Sequence, residues 1–131
     1  MIGIDTNVLI RYLTKDDPRQ TPKAMELFER GLSEEDPGFI SVVAMAETVC
    51  VLDRAYGFSN LEIAAAVEYI LRVPVLRVES EPEVFTAMIM LRDGYGDFAD
   101  ALIGRLNSRA GCSHAVTFDR KASRLPGFEL P

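Results

Sequence analysis

The sequence Met1–Leu13, MIGIDTNVLIRYL, joins a short apolar run, an acidic residue and a second apolar run. Its first segment, Ile2–Ile4, is long enough only for a buried strand. Thr6 or Asn7 can then accept hydrogen bonds from the first free N–H groups of a helix. This order places Asp5 at the carboxyl end of a strand, where open α/β sheets bind their ligands. Asp5 is therefore either a site residue or simply the cap of the helix, and this stretch leaves both interpretations open.

Length and composition indicate a globular protein. The 131 residues fit one domain spanning 1–131, and 48% hydrophobic with 26% charged residues argues against disorder. No apolar run approaches the roughly 20 residues that a membrane span needs, and no export signal precedes the first strand. We therefore expect a cytoplasmic protein without membrane association. Cys50 and Cys112 lie far apart in the sequence, so we expect them to be small core residues.

The net charge does not identify a partner. Fourteen Lys and Arg residues against twenty Asp and Glu residues leave a formal charge of −6. Nucleic-acid binders usually carry a basic face, which this balance does not favour. A divalent cation bound among clustered acids would reverse the local field, however. The charge therefore neither supports nor excludes a polyanionic substrate.

Strands and helices are predicted to alternate along the rest of the chain. Thr21 and Ser41 are predicted N-caps, and two capping boxes begin at Ser59 and Ser80. After the first helix, the predicted helices are 22–30, 42–56, 60–72, 84–92 and 98–110, and the predicted strands are 2–4, 39–40, 75–78, 115–118 and 128–130. This alternation predicts an α/β fold, with a central, mainly parallel sheet of four to five strands flanked by helices.

Five acidic residues from separate segments are predicted to meet at one edge of this sheet. Asp5 and Asp119 each follow a predicted strand, and parallel strands end at the same edge. Asp97 is the predicted cap of a helix, and Asp100 lies on the same helix face three residues later. Glu47 lies under two turns into its own helix. The four segments could therefore bring these carboxylates together.

Such a cluster predicts a metal site. Neighbouring carboxylates raise one another's pKa unless cations are bound, and hard oxygen ligands suit Mg²⁺ or Mn²⁺. These ions can polarise a phosphate and activate water, so phosphodiester hydrolysis would need no Ser, Cys or His nucleophile. Glu47 and Asp100 lie in apolar helices, where a buried charge without a function is costly. Asp97 and Asp119 could equally be ordinary cap and turn residues.

Four segments in this order resemble the PIN-domain ribonucleases, and among them the VapC-type toxins of toxin–antitoxin pairs. The segments are IDTNVLIRYL (4–13), SVVAMAE (41–47), DFADALI (97–103) and TFDRK (117–121). The resemblance implies a PIN-like fold and an endoribonuclease that depends on Mg²⁺ or Mn²⁺. Its catalytic and metal-binding acids would be Asp5, Glu47, Asp100 and Asp119, with Asp97 as a further acid near the metal. Thr117 would support the site through hydrogen bonds, and we expect Thr6 and Asn7 to support Asp5.

The resemblance also implies partners. It predicts a homodimer and a cognate antitoxin that covers the active site, and a basic antitoxin segment would suit a net charge of −6. Cationic residues that flank Asp5 and Asp119 are the candidate RNA contacts, although solvated surface charge explains each of them equally well. These residues are Arg11, Lys15, Arg120, Lys121 and Arg124. The alternative function is a non-catalytic PIN-like module that only binds RNA or a partner.

Overall fold

Six α-helices and five short strands alternate along the chain in a computed structural model that describes all 131 residues. The strands are β1 (Ile2–Gly3), β2 (Gly38–Ile40), β3 (Leu76–Val78), β4 (Ala115–Val116) and β5 (Phe128–Glu129). The helices are α1 (Thr6–Thr14), α2 (Gln20–Glu26), α3 (Val42–Arg54), α4 (Asn60–Arg72), α5 (Glu81–Arg92) and α6 (Phe98–Arg109). A π-helical turn (Leu27–Gly31) extends α2, and a 3₁₀ turn (Ala122–Arg124) precedes β5.

The strands are paired only in parallel, which confirms the predicted α/β fold. They form a three-stranded sheet in the order β1-β2-β3 and a separate pair, β4-β5. The five strands thus form two hydrogen-bonded sheets, of three and two strands, whereas the sequence predicted one sheet of four to five strands. The central strand begins at Gly38, where a Cβ atom would lie 2.9–3.0 Å from the side chains of Ile4, Leu32 and Leu76. Only glycine lets these three apolar side chains close over the middle of the sheet.

Two of the predicted caps are confirmed. The Ser41 Oγ accepts a hydrogen bond from the Ala44 N–H at 3.1 Å, and α3 begins directly after it. Ser59 and Glu62 form the reciprocal capping box that starts α4. Both depend on residues within one turn of each other, which is why the sequence alone identifies them.

Two other predicted caps are wrong. Ser80 has a left-handed backbone (φ 53°) and makes no capping hydrogen bond, because a cap residue needs extended backbone to direct its oxygen at the first turn. Its hydroxyl instead accepts from Arg109 at 3.4 Å. Thr21 lies inside α2, which starts earlier because the Asp17 carboxylate accepts from the backbone N–H groups of residues 19 and 20 at 2.9 and 2.7 Å.

A continuous apolar core connects the sheet with the helices. Leu9 of α1, Ile40 of β2, Met45 of α3 and Phe98 of α6 are almost completely buried in it. The predicted burial of the cysteines is wrong, since Cys50 and Cys112 are both exposed free thiols. None of the six helices is long and apolar enough to cross a membrane.

Candidate active site

Asp5 connects the sheet to the first helix. The Ile4 N–H donates to the Phe39 carbonyl at 2.9 Å, which fixes the chain beside β2 just before the acid. The Asp5 Oδ1 accepts from the Thr6 N–H at 2.8 Å, so Asp5 caps α1, as one interpretation of the sequence had it, and the predicted capping by Thr6 or Asn7 is wrong. Its side chain is nevertheless exposed. Capping and site roles are therefore compatible for this residue.

Asp5 and Glu47 line the same cavity, of about 440 Å³, which we call the Asp5 cavity. Its other lining residues are Thr6, Asn7, Ile10, Arg11, Val51, Ala55 and Tyr56. Glu47 is exposed, so its predicted burial is wrong. The reason is that α3 has an outward stripe at helical spacing, on which Val43 and Cys50 are exposed although they are apolar. Glu47 is therefore a candidate site residue because it lines the cavity, and not because it is buried.

A fixed cation also lies on the Asp5 cavity. The Arg11 Nη1 donates to the Asp16 Oδ1 at 3.1 Å and to the Tyr56 Oη at 3.0 Å, and its Nε donates to the Gln20 Oε1 at 2.8 Å. The Tyr56 hydroxyl in turn donates to the Asp16 Oδ2 at 2.6 Å. Hydrogen bonds from Tyr56 and Thr14, with the nearby charge of Arg11, lower the pKa of Asp16. The guanidinium is thus held in place beside Asp5 and Glu47.

The other three acids form a second group, which we call the Asp100 cluster: Asp97, Asp100 and Asp119. The Asp97 Oδ1 accepts from the Asp100 N–H at 2.9 Å and caps α6 as predicted. Burial raises the pKa of Asp100, and the negative charges of Asp97 and Asp119 raise it further. Asp119, from a distant segment, is therefore close enough for its charge to act on Asp100. No positive charge lowers the pKa of Asp100 against these effects.

Asp119 is held by a turn and does not directly follow a strand, since β4 ends at Val116. The Asp119 N–H donates to the Thr117 Oγ1 at 3.0 Å. The Asp119 Oδ1 accepts from the Lys121 N–H at 2.8 Å and, more weakly, from the next N–H at 3.5 Å. Thr117 and the start of the 3₁₀ turn together fix the position of this carboxylate.

A second cavity, of about 280 Å³, opens beside the Asp100 cluster. This Asp100 cavity is lined by Asn60, Leu91, Gly94, Tyr95, Gly96, Asp97, Asp100, Lys121, Ala122 and Arg124. Two of the predicted RNA contacts, Lys121 and Arg124, thus lie with acids on one cavity, and Arg11 lies with acids on the other. Lys15 and Arg120 line neither cavity. Lys15 instead ends α1 in the left-handed conformation.

The residues fit a divalent cation by their chemistry. Carboxylate oxygens are the ligands that Mg²⁺ and Mn²⁺ prefer, and a cation would relieve the repulsion that raises the pKa of Asp100. Beside Asp5, the Thr6 Oγ1 is buried without a hydrogen-bond partner, so this oxygen is available to interact with a bound cation. No three Asp, Glu, His or Cys side chains converge closely enough to hold a metal as they stand. A single centre formed by all five acids therefore stays a prediction.

Sequence reasoning missed several residues that line or shape the cavities. Tyr56 holds Arg11 and Asp16 from 45 and 40 residues further along the chain, so these contacts leave no local pattern in the sequence. Tyr95 and Asn60 line the Asp100 cavity. The sequence Gly94-Tyr95-Gly96 lacks the spacing of a phosphate-binding loop and predicts only a connection, so it gave no signal for Tyr95 at a cavity.

Comparison with known families agrees with the α/β fold. The sequence profile of the PIN domain matches residues 2–127, a segment that contains both acidic groups and all three strands of the larger sheet. No curated protein sequence gives a significant match. PIN domains are generally nucleases and are typically dependent on divalent metal ions. Because the matched segment covers nearly the whole chain, the protein belongs to the PIN-domain family.

Proposed function

We propose that the protein is a metal-dependent endoribonuclease that hydrolyses phosphodiester bonds of RNA. The observation that carries this proposal is the Asp100 cluster, where three carboxylates share one end of α6 beside the cations Lys121 and Arg124. Carboxylates suit a divalent cation, and adjacent Lys and Arg side chains suit the phosphates of a nucleic acid. The two requirements of phosphodiester hydrolysis thus occur together on one surface.

Each residue has an expected role in this proposal. Asp5, Glu47, Asp100 and Asp119, with Asp97 nearby, would hold Mg²⁺ or Mn²⁺. When bound, such an ion activates water and stabilises the charge that develops on the phosphate. Arg11, Lys121 and Arg124 would position the RNA backbone. Thr117 orients Asp119 through its hydrogen bond, while Thr6 and Asn7 lie beside Asp5.

We further propose that the protein is a toxin of the VapC type, acting in the cytoplasm as a homodimer and inhibited by a cognate antitoxin. The four resembling segments support this assignment. The net charge of −6 and the acids on both cavities support a basic antitoxin segment, because opposite charges favour association and select the partner.

One observation favours a second function, a PIN-like module that binds RNA or a protein without cutting. The acids lie in two groups, and no three side chains approach one another at metal-ligand distance. In such a module Asp5 and Asp97 would act only as helix caps, which both of them do.

A cleavage assay tests the proposed function. Purified, antitoxin-free protein is incubated with a mixed structured RNA in Mg²⁺, Mn²⁺ or EDTA, beside Asp5→Asn and the control Asp53→Asn. Asp53 is an exposed acid of α3 that lines neither cavity. We expect cutting that needs the metal, persists in the control and is lost in Asp5→Asn. Cleavage by Asp5→Asn at the wild-type rate would contradict the site assignment.

Calorimetry then separates the two functions if no RNA is cut. A nuclease with a very narrow target should still bind Mn²⁺ through its acids, and Asp5→Asn should weaken this binding. A module whose acids are only structural should bind no Mn²⁺.

A further inference from the structure

We propose that the ring of Tyr95 is a stacking platform for a nucleobase, so that the Asp100 cavity receives a single-stranded segment of RNA. This inference rests on the proposed action on RNA and specifies its substrate. Tyr95 is 65% exposed and lines the cavity together with Asp97 and Asp100. A base stacked on its ring would belong to a nucleotide next to the acids.

Tyr95 differs from the other tyrosines in having no partner within the protein. Of the four tyrosines in the sequence, Tyr12 and Tyr69 share a hydrogen bond between their hydroxyls at 2.9 Å, and Tyr56 bonds to Asp16. Tyr12 also stacks on Phe28, with ring centroids 3.9 Å apart. Tyr95 makes neither a side-chain hydrogen bond nor an aromatic contact. Its ring therefore contributes no interaction of this kind to the fold and is free to contact a ligand.

The backbone holds Tyr95 in place without help from its side chain. The Tyr95 N–H donates to the Met90 carbonyl at 2.9 Å, and Gly94 before it has a φ of 79°, which glycine adopts without strain. A Cβ atom on Gly96 would lie 2.9–3.0 Å from the side chain of Leu125. The loop is thus packed closely against the end of the 3₁₀ turn. A fixed backbone keeps the ring at the cavity, so that only the side-chain torsions are ordered when a base stacks on it.

The surroundings of the ring favour RNA over an apolar partner. Besides Tyr95 itself, only two residues that line the cavity are hydrophobic, and the polar ones include the cations Lys121 and Arg124. The amide of Asn60 at the same cavity offers a donor and an acceptor to the edge of a base. An aromatic ring, cations for the phosphates and a polar edge-reading group are the combination by which proteins bind single-stranded RNA. Bases within a duplex are already stacked and cannot reach such a ring.

A fluorescence experiment tests stacking directly. The protein contains no tryptophan, so Tyr95→Trp places a single reporter at the cavity. The variant is titrated in EDTA with a mixed-sequence single-stranded oligoribonucleotide and with the same sequence as a duplex. We expect saturable quenching by the single strand and much weaker quenching by the duplex. Tyr69→Trp is the control, because Tyr69 is 52% exposed but lines neither cavity.

Removal of the ring gives the second measurement. Tyr95→Ala should weaken single-strand binding about tenfold, the scale on which one base stacks on an aromatic residue, and Tyr95→Phe should bind as the wild type does. Equal quenching of both tryptophan variants, or unchanged binding by Tyr95→Ala, would overturn the proposal. If the wild type cuts RNA while Tyr95→Ala binds it equally well, the platform is wrong and the ribonuclease stands. Quenching at position 95 without cleavage in any metal would support the platform and contradict the ribonuclease.

Discussion

Asp5 and Asp97 are both N-caps with extended backbone at the start of a helix, yet their surroundings differ in charge. Asp5 shares its cavity with Glu47 and with the fixed guanidinium of Arg11. Asp97 stands beside Asp100 and Asp119, and the cations of that cavity do not prevent a raised pKa at Asp100. Asp5 thus shares its cavity with a cation that other residues hold in place, whereas the raised pKa of Asp100 marks a carboxylate whose charge the nearby cations do not offset.

The comparison shows what a helix N-terminus can and cannot do. Its free N–H groups can donate to one carboxylate, as the Thr6 N–H does to Asp5. They do not offset the burial of Asp100 and the charges of Asp97 and Asp119, which together raise the pKa of Asp100. An added divalent cation should therefore act more strongly on the Asp100 cluster than on Asp5.

The largest expected effect concerns cleavage, and it tests whether the two halves form one centre. Asp5→Asn and Asp100→Asn should each lower the rate of RNA cleavage by at least about 100-fold, the loss typical for one group that stabilises a transition state. If both halves serve the same reaction, the double variant should be little worse than either single variant. Single-turnover kinetics in Mn²⁺ give this result. If the fold-reductions in cleavage rate multiplied in the double variant, Asp5 and Asp100 would act independently and not in one centre.

Metal affinity is the next effect in size. Glu47→Gln should weaken Mn²⁺ binding by at least about tenfold, since the loss of even an outer-shell partner typically reduces metal affinity on that scale. Calorimetric titration measures this change, with Asp53→Asn as the matched acid of the same helix. Unchanged affinity in Glu47→Gln would make Glu47 an ordinary surface residue of α3.

Stability distinguishes the capping role of Asp5 from its proposed role in the site. Asp5→Ala removes the acceptor of the Thr6 N–H and should lower the free energy of unfolding by about 1 kcal/mol. Asp5→Asn keeps an oxygen acceptor and should unfold in urea at nearly the wild-type midpoint, although its activity is lost. Equal destabilisation by both substitutions would show that the carboxylate charge, and not the cap, stabilises α1.

The smallest expected effect is a pH dependence of opposite sign in the two halves, measured by thermal unfolding in EDTA. The lowered pKa of Asp16 gives stability that is present at neutral pH and is lost as the pH falls through the folded-state pKa, so Asp16→Asn should be less stable than the wild type at pH 7. The raised pKa of Asp100 gives stability only at acidic pH, and it is lost as the pH rises through that pKa. Asp100→Asn should therefore be more stable than the wild type at pH 7, and this advantage should shrink as the pH falls through the raised pKa and be gone below the ordinary Asp value of about 3.9. If Asp16→Asn and Asp100→Asn changed the stability at pH 7 in the same direction, the contrast between the surroundings of Arg11 and the Asp100 cluster would be contradicted.

Features that depend on neighbouring residues could be predicted from the sequence. The caps at Ser41 and Asp97 and the box at Ser59 each need only residues within one helical turn, so the spacing of residue types identifies them. The alternation of strands and helices likewise predicted the α/β fold, and the family followed from four short segments. Ser80 shows the limit of this reasoning, because its pattern matched a box but its backbone is left-handed.

The sequence by itself determined which acids are present, the order of the strands and helices that carry them, and the helix starts that fix Asp97 and Glu47 along the chain. Only the tertiary structure decided that Glu47 is exposed, that Arg11 is held by Tyr56, and that Asp119 acts on Asp100. The physical reason is the separation along the chain of the residues that interact. Capping and periodicity arise from hydrogen bonds within a few residues, whereas burial and electrostatic compensation depend on how distant segments pack together.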